Sequence, residues 1–187
     1  MNILFLGDIV GDSGCTAVKE NLPKTIKNKS IDFVVANGEN AATDGVGITE
    51  NITYELLRSG VDVITTGNHI WDQKETYDFI SKQNRLLRPL NLLEAPPGQG
   101  FAIHNSRNGF KVGVLNLMGN VFMKKCKDVF FEAKKFLEKN KLKHNFDFLI
   151  VDFHGEITSE KMAIGHYLDG LVTCVIGTHT HVPTADT

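Results

Sequence analysis

Residues 61–72 read VDVITTGNHIWD, from Val61 to Asp72. Val61, Val63 and Ile64 among β-favouring threonines predict a buried strand, and Gly67 stops it, delivering Asn68 and His69 into a loop. The same grammar recurs: MNILFLGD ends at Asp8, IDFVVANGEN at Glu39 and Asn40, FDFLIVDFHGE at His154, and LVTCVIGTHTH at His179 and His181. Strands alternating with helical segments predict an α/β fold with parallel strands. In an open parallel sheet the residues just past the strand ends share one rim, where ligands bind. Five segments are therefore expected to converge.

Composition narrows the classes. With 187 residues, 42% hydrophobic and 22% charged, the chain suits one globular domain over 1–187 with a sizeable core. A net charge of -2 supplies no global basic field for non-specific nucleic-acid binding. No apolar run approaches the ~20 residues of a membrane span. Cys15, Cys126 and Cys174 are too few and too scattered for a disulfide framework or a CxxC metal site. They read as packing residues, and a reducing cytoplasm is the simplest compartment.

Further elements follow in order. Ser13 is expected to cap a helix running to about Lys29, broken or kinked at Pro23, and Thr49 to cap another through Leu57. Asp72–Gln83 reads as helix, and Leu86–Leu93 as a short strand or edge segment. Phe101–His104 and Lys111–Leu117 flank the turn cluster Asn105–Gly109 as a hairpin. Lys124–Lys139 is an amphipathic helix with Val129, Phe130, Ala133, Phe136 and Leu137 in one stripe. Phe146–Phe153 is a strand interrupted by Asp147 and Asp152, Thr158 or Ser159 begins a helix to about Leu168, and Leu171–Ile176 is the last strand.

Taken together, Asp8, Glu39, Asn40, Asn68, His154, His179 and His181 offer oxygen and imidazole donors and no thiolate. That mixture suits iron, manganese or zinc. Seven ligands exceed one tetrahedral ion and fit two. Two divalent ions against Asp8, Glu39 and a bridging hydroxide leave a positive cluster that can hold an anion. Such a pair, roughly 3.5 to 4 Å apart, clamps a phosphoryl oxygen and stabilises the entering and leaving oxygens of an in-line displacement. Phosphate-ester hydrolysis by the bridging hydroxide is the natural reaction, with His69 protonating the leaving oxygen as general acid.

The motifs FLGDIVGD (Phe5–Asp12), ANGENAA (Ala36–Ala42), GVGIT (Gly45–Thr49), TTGNHIWD (Thr65–Asp72), VDFHGE (Val151–Glu156) and GTHTHVPTAD (Gly177–Asp186) resemble those of the calcineurin-like metallophosphoesterases, and more closely their YmdB-like branch of bacterial phosphodiesterases. The resemblance implies a four-layer α/β/β/α sandwich with a dimetal site at the strand ends. One ion would be held by Asp8, Glu39, Asn40 and His181, the other by Glu39, Asn68, His154 and His179, with iron or manganese expected. The substrate it implies is a small phosphodiester such as a 2',3'-cyclic nucleotide, which RNA could supply; no membrane partner is implied and a homo-oligomer stays open. The broad superfamily carries Asp-x-His in its first motif and an aspartate bridge. Here Val10 and Glu39 stand at those positions, as in the YmdB-like branch.

Family members continue past the last histidine motif, so a chain ending at Thr187 reads as truncated at its carboxyl end. The alternative is a catalytically inactive or regulatory protein that retains the fold and binds metal or nucleotide. A serine esterase built on Gly11-Asp12-Ser13 would need an Asp-x-x-His pair near the end, where the chain offers Asp152-Phe153-His154.

Overall fold

Alternate residues of the second strand face two different cores, and this fixes the architecture. In the computed structural model, which describes residues 1–94 and 96–184, β2 (Phe33–Asn37) is buried throughout. Val34 and Ala36 join a cluster with Ile48, Leu56 and Ile64, whereas Phe33 and Val35 join one with Val112, Val114 and Ile150. A strand covered on both faces reads as a continuous apolar run, as this one does.

The order is β1 (Ile3–Leu6), α1 (Gly11–Lys29), β2, α2 (Glu50–Arg58), β3 (Val63–Thr65), α3 (Thr76–Phe79) with a 3-10 turn (Ile80–Lys82), β4 (Phe101–Asn105), β5 (Lys111–Met118), α4 (Val129–Lys139), β6 (Phe148–His154), α5 (Thr158–Leu168) and β7 (Cys174–Thr178). This mixed α/β chain forms two sheets. β1-β2-β3 is parallel; in β4-β5-β6-β7 only the β4–β5 hairpin is antiparallel. The short turn 106–110 permits only antiparallel pairing, and the helical crossovers α4 and α5 make the remaining pairs parallel. A third cluster joins Leu115, Leu117, Val151 and Phe153 to Val129, Ala133 and Phe136 of α4 and Ile164 and Leu168 of α5. Fully burying a side chain such as Phe33 or Phe153 is worth about 2–3 kcal/mol.

Several local expectations are corrected by tertiary contacts. Helix α1 begins at Gly11, with Val10 rather than Ser13 at its N-cap position, because the Gly11 amide donates to the Asn40 carbonyl at 2.8 Å. It runs through Pro23 to Lys29. Pro23 and Lys19 lie on the exposed face, where water can reach the Lys19 carbonyl that loses its partner, while Val18, Leu22 and Ile26 hold the other face to the core. The Asp72–Gln83 helix shrinks to α3 and its 3-10 extension because Asp72 pairs with His69 and Gln73 turns to Asp44 and the Val46 carbonyl. Helix α4 starts five residues late, at Val129, capped by Asp128, whose carboxylate accepts the Phe131 amide at 2.7 Å. Residues 120–127 instead fold back, the Cys126 amide donating to Asn120 Oδ1 and the Lys127 amide to the Asn91 carbonyl.

Thr49 caps α2 as expected, accepting from the Ile52 amide. Ala95 of the Ala95–Gly100 loop, and Ala185 and Asp186 of the last motif, lie outside the described residues. No helix among the described residues is long and apolar enough to cross a membrane.

Candidate metal and active site

Asp8 follows β1, Glu39 and Asn40 follow β2, Asn68 follows β3, His154 ends β6, and His179 and His181 follow β7. The first three strands belong to one sheet and the last two to the other. Their carboxyl ends nonetheless meet.

Glu39 and His154 form the buried centre, with His154 Nε2 3.0 Å from Glu39 Oε1 and both side chains inaccessible to solvent. The same Nε2 lies 3.2 Å from Asn68 Oδ1 and 3.1 Å from His179 Nδ1. Glu39, His154 and His179 thus present ligand atoms within 4.8 Å of one another, a group able to hold a cation. A second group adjoins it: Asn40 Nδ2 stands 3.4 Å from Glu39 Oε1 and 3.3 Å from His181 Nε2, which is 3.5 Å from Asp8 Oδ1. Asp8 Oδ2 accepts the His179 amide at 3.1 Å, whereas Asp8 Oδ1 is buried with no hydrogen-bond partner among the described residues. An orphaned carboxylate oxygen is costly unless a cation takes it.

The backbone marks the same spot. His179 (φ 96°) and His181 (φ 55°) lie in the left-handed region, which costs non-glycine residues on the order of 1–3 kcal/mol each. Gly67 makes room: a Cβ there would lie 2.1 Å from Glu39 Oε2 and 2.2 Å from His154 Nε2. A cleft of about 290 Å3 opens over the centre, lined by Glu39, Asn40, Gly45, Val46, His69, His179 and His181.

Electrostatics couples the central pair. Burial alone would raise the Glu39 pKa, but the hydrogen bond and charge of His154 outweigh it and hold the carboxyl below its usual range. Burial would lower the His154 pKa, and Glu39 overrides that and raises it. His179 is shifted down, by desolvation first and then by His154.

His69 sits at the cleft wall without joining either group. Its amide approaches Glu39 Oε2 at 3.4 Å and its Nδ1 pairs with Asp72 Oδ2 at 2.6 Å. Lys124 reaches over from the other sheet's loop, donating to the Asn68 carbonyl at 2.9 Å and standing 3.7 Å from Asp72 Oδ1. Asp72 and Lys124 escaped the sequence reading, although an acid three residues after His69 was a usable signal. Glu156, 3.0 Å from His179 Nε2, was missed too. So was Asp152, fully buried and pushed up to about 6 by burial; its charge in an otherwise apolar strand was the clue.

Two arginines serve the packing of the chain rather than the site. Arg88 donates to the carbonyls of Pro89, Pro96 and Pro97, and Arg107 to Asp62 and the Gly60 carbonyl.

The model of the family described as YmdB-like protein matches residues 4–187. A Bacillus subtilis (strain 168) protein named 2',3'-cyclic-nucleotide 2'-phosphodiesterase is 45% identical over 186 residues, covering 100% of this chain and 69% of its own length. A crystal structure of a hypothetical protein from Thermus thermophilus superposes with a TM-score of 0.90 at 41% identity, over 100% of this chain and 70% of that one. A novel phosphatase from Mycoplasma pneumoniae gives 0.87 at 37% identity, over 97% of this chain and 65% of its own. The chain thus spans roughly two thirds of each relative's length. On the strength of the family match and of these full-chain identities, the chain belongs to the YmdB-like family of phosphoesterases.

Proposed function

We propose that this chain is a dimetal phosphodiesterase whose two ion sites share Glu39. The observation that carries the reading is the donor arrangement. Glu39, Asn68, His154 and His179 form one group, Asp8, Asn40 and His181 the other, and Asp8 Oδ1 lacks any hydrogen bond among the described residues. The donor set fits divalent iron or manganese, with carboxylate, amide and imidazole ligands and no thiolate. When bound, two such ions supply Lewis-acid polarisation of a phosphoryl oxygen and a nucleophile of lowered pKa.

The protein's own groups do the rest. Glu39 and Asp8 bring the only carboxylates into the two groups, so the loaded site keeps a positive surplus for an anionic phosphodiester. Asp72 holds His69 through Nδ1, leaving Nε2 free to protonate a leaving alcohol oxygen. Gly45 and Val46 line the same cleft of about 290 Å3, a size suited to a small substrate. The B. subtilis relative's name supports 2',3'-cyclic nucleotides as the substrate class.

We further infer a four-layer α/β/β/α arrangement within one domain. Its support is the three apolar clusters, one between the two sheets and one under the helices of each.

The test is metal content per chain by elemental analysis, together with hydrolysis of bis-p-nitrophenyl phosphate and 2',3'-cyclic AMP before and after chelation. About two ions and chelator-sensitive turnover are expected. Metal without turnover would favour a binding or regulatory protein, and folded protein that takes up no metal would sink the dimetal reading.

A further inference from the structure

Beneath the metal-facing side chains lies a buried polar chain that both sheets contribute to. Asp152 on β6 accepts from Thr178 Oγ1 at 2.7 Å, from Asn37 Nδ2 at 3.0 Å and from Thr65 Oγ1. Thr178 Oγ1 in turn faces His154 Nδ1 at 2.9 Å and Asn37 Nδ2 at 3.3 Å. Asn37 Oδ1 accepts the Glu39 amide at 3.1 Å.

A hydroxyl has one proton and two lone pairs. Asn37 Nδ2 can only donate to Thr178, and the Thr178 proton has Asp152 Oδ1 as its acceptor. The oxygen left facing His154 is therefore an acceptor, which places the imidazole proton on Nδ1. Nε2, the atom that faces Glu39, Asn68 and His179, is then the nitrogen open to a cation.

We propose that Asp152 and Thr178 are positioning residues: acting in series, they fix the His154 tautomer that turns Nε2 toward the metal, while Asn37 ties the same carboxylate to the backbone of Glu39. The inference rests on the metal role given to His154 above. Histidine ligands commonly hold their second nitrogen on a carboxylate or carbonyl; here a threonine hydroxyl stands between.

A purely structural role would treat all donors to Asp152 alike, and that gives the control. Thr65 is as buried as Thr178 and donates to the same carboxylate, but its hydroxyl bonds to Asp152 and the Ala36 carbonyl rather than to His154. Mn2+ binding to the full chain, read from the free-ion electron-paramagnetic-resonance signal, is expected to weaken ~10- to 100-fold in T178V. T65V and T178S should bind close to wild type. T178V binding like wild type, or T65V losing as much as T178V, would overturn the relay. Wild-type protein that binds no Mn2+ would instead remove the metal reading on which the relay depends.

Should T178V not fold, nitrogen-15 resonances of the zinc-loaded wild type decide the matter. A His154 with its proton on Nδ1 and zinc at Nε2 is expected, and the opposite tautomer refutes the proposal.

Discussion

Gly67→Ala isolates the steric demand of the site, because nothing in the Gly67 backbone requires glycine: its φ lies outside the left-handed region. The added methyl would sit 2.1 Å from Glu39 Oε2, 2.1 Å from His154 Cδ2 and 2.2 Å from His154 Nε2. Both side chains are fully buried. To restore a 3.0 Å approach they must retreat by roughly 1 Å, several times the ~0.2 Å tolerance of a metal–ligand distance. Overpacking of this kind costs about 1–3 kcal/mol. In a chain of this length that lowers Tm by roughly 2 to 12 °C, at about 2–4 °C per kcal/mol. Metal affinity should fall far more than stability does, since the strain lands on two proposed ligands.

Gly7→Ala is the matched control, a strand-end glycine beside Asp8 with nothing within 4 Å of the new methyl. Differential scanning fluorimetry with and without Mn2+ measures both effects. A G67A protein whose Mn2+-induced Tm gain equals that of G7A would refute the assignment of Glu39 and His154 as ligands.

Glu39→Gln should abolish metal uptake and turnover together, and elemental analysis of the purified variant checks it; full activity would rule out this site. His69→Ala should keep its metal and lose about 10²- to 10⁴-fold in turnover of substrates with poor leaving groups. Comparing nitrophenyl and alkyl leaving groups reads this out, and an equal loss on both would exclude the general-acid role. For chelator-treated protein the pH dependence has a definite sign. The raised His154 pKa gives stability that is present below its unfolded value near 6.5 and lost as pH rises through the folded value. The raised Asp152 pKa removes stability as pH climbs from 3.8 to about 6. Glu39 works the other way only at the acid end, its contribution being lost as pH falls below about 4.5. Melting of the stripped protein should therefore rise from pH 8 to about pH 6.5 through His154, below which the lowered pKa values of His179 and of His104 on β4 oppose it, while the Tm gain from added Mn2+ shrinks over the same interval as His154 takes up its proton. A Mn2+ gain that grows on acidification would contradict imidazole ligation.

Much of the donor set was legible because an apolar strand that ends in Gly-Asn-His or Gly-Thr-His-Thr-His announces where the core stops and polar groups begin. Hairpin, amphipathic stripe and strand-loop-helix units were legible for the same reason: each is set by near-neighbour periodicity. Contacts between residues far apart in sequence were not. Ser13 lost its capping role to the Asn40 carbonyl, and the helix expected from Asp72 was cut short when Asp72 turned to His69 and Gln73 to Asp44. A charged residue inside a strand, Asp152, signalled something buried, but its partners come from β2, β3 and β7, and no local pattern encodes them.

The sequence by itself determined that carboxylate, amide and imidazole side chains stand just past the strand ends. Only the tertiary structure decided which strands fall in which sheet, and that Glu39 from one faces His154 from the other at 3.0 Å. The physical reason is that strand identity follows from local side-chain alternation. The meeting of two sheets follows instead from burying Phe33, Val35 and Val63 against Val112, Val114 and Ile150, a match of apolar faces that only the folded chain can make.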